Sequence, residues 1–120
     1  EMTAPTAGFR EQVLYHDLTA DGHGDVRVAL MNPTLAHGVG VGLTYHQKTL
    51  PHFVQWKMLG HGTYVLGLEP ANCQVGGRAA EREAGRMVVL PPGESRDYRL
   101  AFSILDGIEE MEAFAQLIRG

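Results

Sequence analysis

Glycine occupies every second position of one apolar stretch, Gly38-Val39-Gly40-Val41-Gly42. This period of two is typical of a β-strand, in which successive side chains point to opposite faces of the sheet. One face of the strand is therefore almost bare of side chains, so a neighbouring backbone or a ligand can approach it closely. The pattern predicts a strand over 38–45 with something packed against its glycine face.

Short apolar stretches separated by turn residues make up most of the chain. Asp21-Gly22-His23-Gly24 supplies a hairpin turn, and Pro92-Gly93 suits the central positions of a type II turn. Seven strands are predicted: 11–18, 26–31, 38–45, 53–58, 64–69, 87–90 and 98–105. Their short connections favour an all-β, antiparallel fold.

Only the C-terminal end has helical periodicity. Asp106 can cap a helix, and Glu109 stands three residues later as in a capping box. An apolar stripe follows, formed by Ile108, Met111, Ala115 and Ile118 with Phe114 beside it. The sequence therefore predicts a terminal helix over 106–119.

Composition limits the partners and the compartment. The 120 residues suffice for one domain, residues 1–120, or for part of a larger one, and the formal charge is −4 with scattered Lys and Arg. Neither nucleic acid nor a membrane is an expected partner, because there is no basic patch and no apolar run long enough to span a bilayer. Cys73 is the single cysteine and cannot form an internal disulfide, so we expect a small buried thiol and a cytoplasmic location.

A carboxylate ends the apolar run Leu66-Gly67-Leu68-Glu69-Pro70. Since proline cannot donate a hydrogen bond to a sheet ladder, the strand is expected to stop near Glu69 and to leave this acid at the rim of the sheet. Gly67 lies on the same face and leaves room for a ligand. A solvated strand end is the alternative interpretation.

Neighbouring segments supply further candidates for a site. On the strand 53–58, Gln55 and Lys57 share one face and could contact hydroxyl groups, whereas Trp56 points the other way and is expected in the core. In the segment 78–86, arginines recur every four residues, as in a helical turn or an ordered loop with local ion pairs. Arg78, which follows two glycines, is the arginine that we expect to turn towards Glu69 or a ligand.

Four pieces in this order carry a resemblance: Gln55-Trp56-Lys57-Met58, Tyr64 to Asn72, Gly77-Arg78 and Leu90-Pro91-Pro92-Gly93-Glu94-Ser95. Together they resemble the C-terminal part of aldose 1-epimerase-like proteins of the galactose mutarotase-like superfamily, over about Tyr15 to Leu105. The resemblance implies an antiparallel β-sandwich, here the C-terminal portion of the larger galactose mutarotase-like fold, that binds a monosaccharide or sugar derivative. It also implies that Glu69 is the general base of an anomer interconversion.

If the chain acts as an aldose epimerase, Gln55, Lys57, Asn72 and Arg78 are the possible ligands for sugar hydroxyls or an anion. No cofactor is expected, and no metal, because the sequence has no His-x-His or His-x3-His pair and its only cysteine is isolated. Such enzymes use a histidine upstream of the glutamate as general acid, in a segment that this sequence does not contain. His16, His46 and His61 are the candidates for a replacement. A non-catalytic carbohydrate-binding module and a self-associating structural β domain therefore remain alternatives. A homo-oligomer, or pairing with a missing N-terminal half, would cover the apolar surfaces and strand edges that half a sandwich exposes.

Overall fold

A computed structural model of the chain describes residues 1–119. The chain forms two compact units, the first from 1–18 with 50–95 and the second from 19–49 with the chain from Arg96 onward. The elements are β1 (Gln12–His16), β2 (Asp25–Asn32), β3 (Val39–His46), β4 (His52–Gly60), β5 (Thr63–Ala71), α1 (Arg78–Glu83), β6 (Leu100–Asp106) and α2 (Ile108–Arg119). The antiparallel β class with a short C-terminal helix is confirmed.

The first unit contains a three-stranded antiparallel sheet in the order β1-β4-β5. Its buried apolar residues are Leu50, Phe53, Val54 and Leu59. The expected stop of β5 at Glu69 was wrong, because the strand continues through Pro70, opposite Phe53, to Ala71. An edge strand accommodates a proline because its outer N–H has no ladder partner to lose.

The second unit contains the sheet β2-β3-β6, with α2 packed against it. Phe114 of α2 lies on Gly42 so closely that a Cβ there would be 2.5 Å from the ring. Together with Met111 and Leu105 it forms a buried cluster. The expected close approach to the glycine face is confirmed, and the element that makes it is the terminal helix.

The terminal helix begins at Ile108 rather than at Asp106. Asp106 is the last residue of β6, and the first helical bond runs from the Met111 N–H to the Gly107 carbonyl at 3.2 Å. Glu110, not Glu109, accepts the Asp106 N–H at 2.9 Å. The aspartate carboxylate pairs instead with His37 at 2.6 Å, so the strand end and the helix start are joined without the predicted capping box.

The predicted strand over 87–90 was wrong, because these residues lie outside the strands of the structure. The N–H groups of Arg86 and Met87 both donate to the Glu81 carbonyl, at 2.9 and 3.1 Å, and so complete the end of α1. The helical-turn interpretation of 78–86 is the one that the structure confirms. Within the described part of the chain, no helix is long and apolar enough to cross a membrane.

Large apolar side chains are exposed on the edge strand β6. Phe102 is 72% exposed and Ile104 is 71% exposed. The expected pairing with a second copy or with another part of the protein stays a prediction.

Candidate functional site

Glu69 lies on the edge strand β5 and is half-buried. Its side chain folds back along the strand over Gly67. A Cβ added at Gly67 would overlap Glu69 Oε1 and come within 3.1 Å of Glu69 Cδ. The glycine therefore leaves the space that the carboxylate occupies.

The Glu69 carboxylate has no hydrogen bond or ion pair with the described residues 1–119. A half-buried carboxylate loses part of its hydration, and partners normally compensate this loss. Both oxygens of Glu69 are consequently available as acceptors for a hydroxyl group or another donor.

Two aromatic residues share the face of Glu69. Across the sheet, Tyr15 of β1, Val54 of β4 and Glu69 are in register, and the next row on this face holds Val13, Trp56 and Gly67. Trp56 is the β4 partner of Gly67, over which the Glu69 carboxylate folds. Because adjacent strands are about 4.8 Å apart, Trp56 is the direct neighbour of this position.

Trp56 was expected in the core, and this was wrong. The residue is half-buried, and its indole N–H donates to Glu11 Oε2 at 2.9 Å. Tyr15 is 52% exposed. An aromatic surface next to an unpaired polar group is typical of small-molecule sites. Tyr15 was not predicted as a site residue, although alternation places it with Val13 on one face of β1.

Gln55 and Lys57 lie on the opposite face from Glu69. The register pairs Gln55 with Leu68 and Lys57 with Leu66. Both leucines lie an odd number of residues from Glu69 on β5, so they and their partners point to the other face. Gln55 Oε1 is 3.1 Å from His16 Nε2, and Lys57 Nζ donates to the Glu1 carbonyl at 2.5 Å. The sheet thus does not bring these two predicted ligands together with the acid.

Asn72 and Arg78 follow β5 in the chain. Asn72 comes directly after the strand and is half-buried, whereas Arg78 is exposed at the first position of α1. Neither side chain is hydrogen-bonded to Glu69, whose carboxylate has no partner among the described residues.

An ion pair anchors the segment after β5, and its acid is buried, which was not predicted. Glu81 is only 3% exposed, and it accepts hydrogen bonds from Arg86 Nη2 at 2.8 Å and from the Gln74 N–H at 3.2 Å. The Arg86 guanidinium holds the pKa of Glu81 below its usual value, and Glu81 raises the pKa of Arg86. Glu81 and Glu83 flank Arg82, and no local pattern indicates which of the two acids is buried.

The charges of the Glu81–Arg86 pair interact with residues of the face that carries Glu69. Arg86 interacts electrostatically with Tyr15, and Glu81 does so with His52. Both partners belong to the Glu69 face by register, because Tyr15 opposes Val54 and His52 lies two residues before Val54. Arg86, rather than Arg78, is the arginine that a buried carboxylate holds in place.

The three candidate histidines are engaged elsewhere. His61 Nε2 lies 3.1 Å from the Pro5 carbonyl, His46 Nδ1 accepts the Lys48 N–H, and His16 contacts Gln55. No group of three His, Cys, Asp or Glu side chains within residues 1–119 is arranged to hold a metal ion. The buried thiol expected at Cys73 was wrong, since this cysteine is exposed.

The fold is aldose 1-epimerase-like. The chain superposes on the crystal structure of a putative aldose 1-epimerase from Klebsiella pneumoniae with a TM-score of 0.88 and 27% sequence identity. The match covers 97% of this chain and 30% of the Klebsiella chain, so the present chain spans under a third of that protein. The expected resemblance to the aldose 1-epimerase-like proteins is confirmed.

The chain belongs to the family of DUF4432, a domain of unknown function, whose sequence model matches residues 1–104. A search of the curated proteins finds no match.

Proposed function

We propose that this chain is part of a carbohydrate-binding protein related to aldose 1-epimerases, in which Glu69 accepts a proton from the sugar. The observation that carries the proposal is the unpaired, half-buried carboxylate over Gly67, on a face that also presents Trp56 and Tyr15. The epimerase-like fold supports it, because the Klebsiella protein has the same fold over nearly the whole of this chain.

Anomer interconversion needs a base at the C1 hydroxyl and an acid at the ring oxygen. Removing the hydroxyl proton while the ring oxygen gains one opens the ring, and closure on the other face gives the second anomer. Glu69 fits the first role, since both of its oxygens are available. Trp56 offers an apolar surface against which the C–H groups of a sugar ring can pack.

The three candidate histidines, His16, His46 and His61, are engaged with other residues, and we assign the general acid to none of them. This observation favours a second candidate, a carbohydrate-binding module without catalysis. In that case the Glu69 oxygens accept hydrogen bonds from sugar hydroxyls and no proton is transferred.

Polarimetry of the protein that carries this chain, with a panel of aldoses, tests the catalytic proposal. Glu69→Gln keeps the size of the side chain but removes the proton acceptor, and the rate should fall about a hundredfold or more. Glu83→Gln is the matched control, because Glu83 is exposed and lies outside the Glu69 face. Equal rates for Glu69→Gln and Glu83→Gln would refute the role of Glu69 as base.

Saturation-transfer NMR with the same sugars separates the two candidates. A module predicts sugar binding that Trp56→Ala weakens, with no effect of the protein on the anomer exchange rate. An enzyme predicts both binding and exchange. The absence of binding by the parent protein would contradict both candidates.

A further inference from the structure

A cavity of about 550 Å³ lies in the second unit, in a part of the chain that does not include Glu69. It is lined by the last residue of β3 and two residues after it, and by residues that precede β6: His46, Lys48, Thr49 and the segment Arg96 to Arg99. Tyr45 and Leu100 form the last pair of the β3–β6 ladder. Beyond this pair, residues 46–49 and 96–99 are not paired with each other as strands, and the cavity lies between these two segments.

On one side of the cavity, residues 46–49 form a turn that several hydrogen bonds hold in place. His46 Nδ1 accepts the Lys48 N–H at 3.1 Å, and the His46 carbonyl accepts both the N–H and the hydroxyl of Thr49, at 3.1 and 3.0 Å. The His46 ring lies against Gly24, where a Cβ would be 2.6 Å from Nε2. The backbone that carries Lys48 is thereby fixed.

Three cationic side chains line this cavity, Lys48, Arg96 and Arg99, against one acid, Asp97. Within residues 1–119, none of the three has a side-chain hydrogen bond or ion pair. Arg27 of the same unit is paired with Asp21 at 2.6 Å. An unpaired excess of positive charge is notable in a chain whose formal charge is −4.

We infer that this cavity binds the phosphate group of a small anionic ligand. Guanidinium groups donate in a fixed fork that matches phosphate oxygens, and an ammonium adds a point charge. The volume lies in the usual range for small-molecule sites. Tyr98, which is 40% exposed, supplies an aromatic wall for the uncharged part of the ligand. The inference does not depend on Glu69 or on the proposed function.

Inorganic phosphate is the probe for the test. Adding it at constant ionic strength to the ¹⁵N-labelled 120-residue chain should give saturable amide shifts in residues 46–49 and 96–100. The triple variant Lys48→Gln/Arg96→Gln/Arg99→Gln should weaken binding by about tenfold or more, because it removes charge-assisted hydrogen bonds. Acetate, which lacks the tetrahedral dianion, should bind more weakly than phosphate by a similar factor.

The matched control is Arg10→Gln/Arg82→Gln/Arg119→Gln, which removes the same charge from exposed positions outside the cavity. It should leave the phosphate affinity within about twofold of the parent, a difference of about 0.4 kcal/mol or less. Shifts that do not saturate, equal weakening by both triple variants, or equal affinity for acetate would overturn the inference. If the first triple variant fails to fold, the single variants Arg96→Gln and Arg99→Gln should each weaken binding, and no weakening by either would overturn it.

Discussion

Two strand glycines, Gly42 in the second unit and Gly67 in the first, serve opposite purposes. At Gly42 the missing side chain admits the Phe114 ring of α2, and the contact is part of a buried apolar cluster. At Gly67 the missing side chain admits the Glu69 carboxylate, and the contact holds a polar group that has no partner among the described residues.

A glycine in a strand therefore indicates that another group packs closely against the strand. It does not indicate whether that group is an apolar ring, as at Gly42, or a carboxylate, as at Gly67. A helix on the sheet at Gly42 stabilises the fold through dispersion and burial. A carboxylate over Gly67 brings no such gain, since an unpaired acid is costly to desolvate. We therefore expect substitutions around Gly42 to change stability, and substitutions around Gly67 to change binding.

The largest expected effect is that of Phe114→Ala. The ring is 8% exposed and packs with Met111 and Leu105, so its removal leaves a cavity that should cost about 3–5 kcal/mol of unfolding free energy. Urea denaturation followed by circular dichroism measures it. Leu117→Ala is the control on the same helix, because Leu117 is 59% exposed, and an equal loss for both variants would contradict the packing assignment.

Gly42→Ala should destabilise the chain by about 1–3 kcal/mol, because the new methyl group meets a ring that is packed in place. The same denaturation experiment applies. Adding Phe114→Leu to Gly42→Ala should recover part of the loss, since the shorter side chain vacates the space over Gly42. No recovery would show that the strain arises elsewhere.

The Glu81–Arg86 pair should make the first unit sensitive to acid. The folded pKa of Glu81 is lowered, so its contribution to stability is present above the unfolded pKa of about 4.5 and is lost as the pH falls through the folded value. The stability gap between the parent and Glu81→Gln should therefore be larger at pH 7 than at pH 3. A gap that does not change with pH would contradict the pairing.

Gly67→Ala should have the smallest effect on stability, less than about 1 kcal/mol, since the carboxylate is the end of a flexible side chain and can move away. Sugar binding should nevertheless weaken, because the new methyl group displaces the Glu69 carboxylate from its position over residue 67, opposite Trp56. Comparing denaturation midpoints and saturation-transfer signals of the parent and the variant tests both parts. A large loss of stability in Gly67→Ala would contradict the claim that Gly67 matters for binding and Gly42 for stability.

Alternation along the chain was sufficient to predict all six strands to within a few residues, the glycine face of β3 and the separation of Gln55 and Lys57 from Trp56. These features depend on local periodicity, which each strand carries in its own residues. The acid at Glu69 and its neighbour Gly67 were also evident, since the two lie on one strand.

Contacts between distant segments were decided by the tertiary structure alone. The register of β4 against β5 places Gln55 and Lys57 on the face away from Glu69, and no pattern within one strand fixes the phase of its neighbour. The burial of Glu81 with Arg86, the exposure of Cys73 and the cavity between the ends of β3 and β6 likewise depend on which segments meet. The sequence determined the elements by local periodicity, whereas the grouping of side chains into sites required the pairing of strands far apart in the chain.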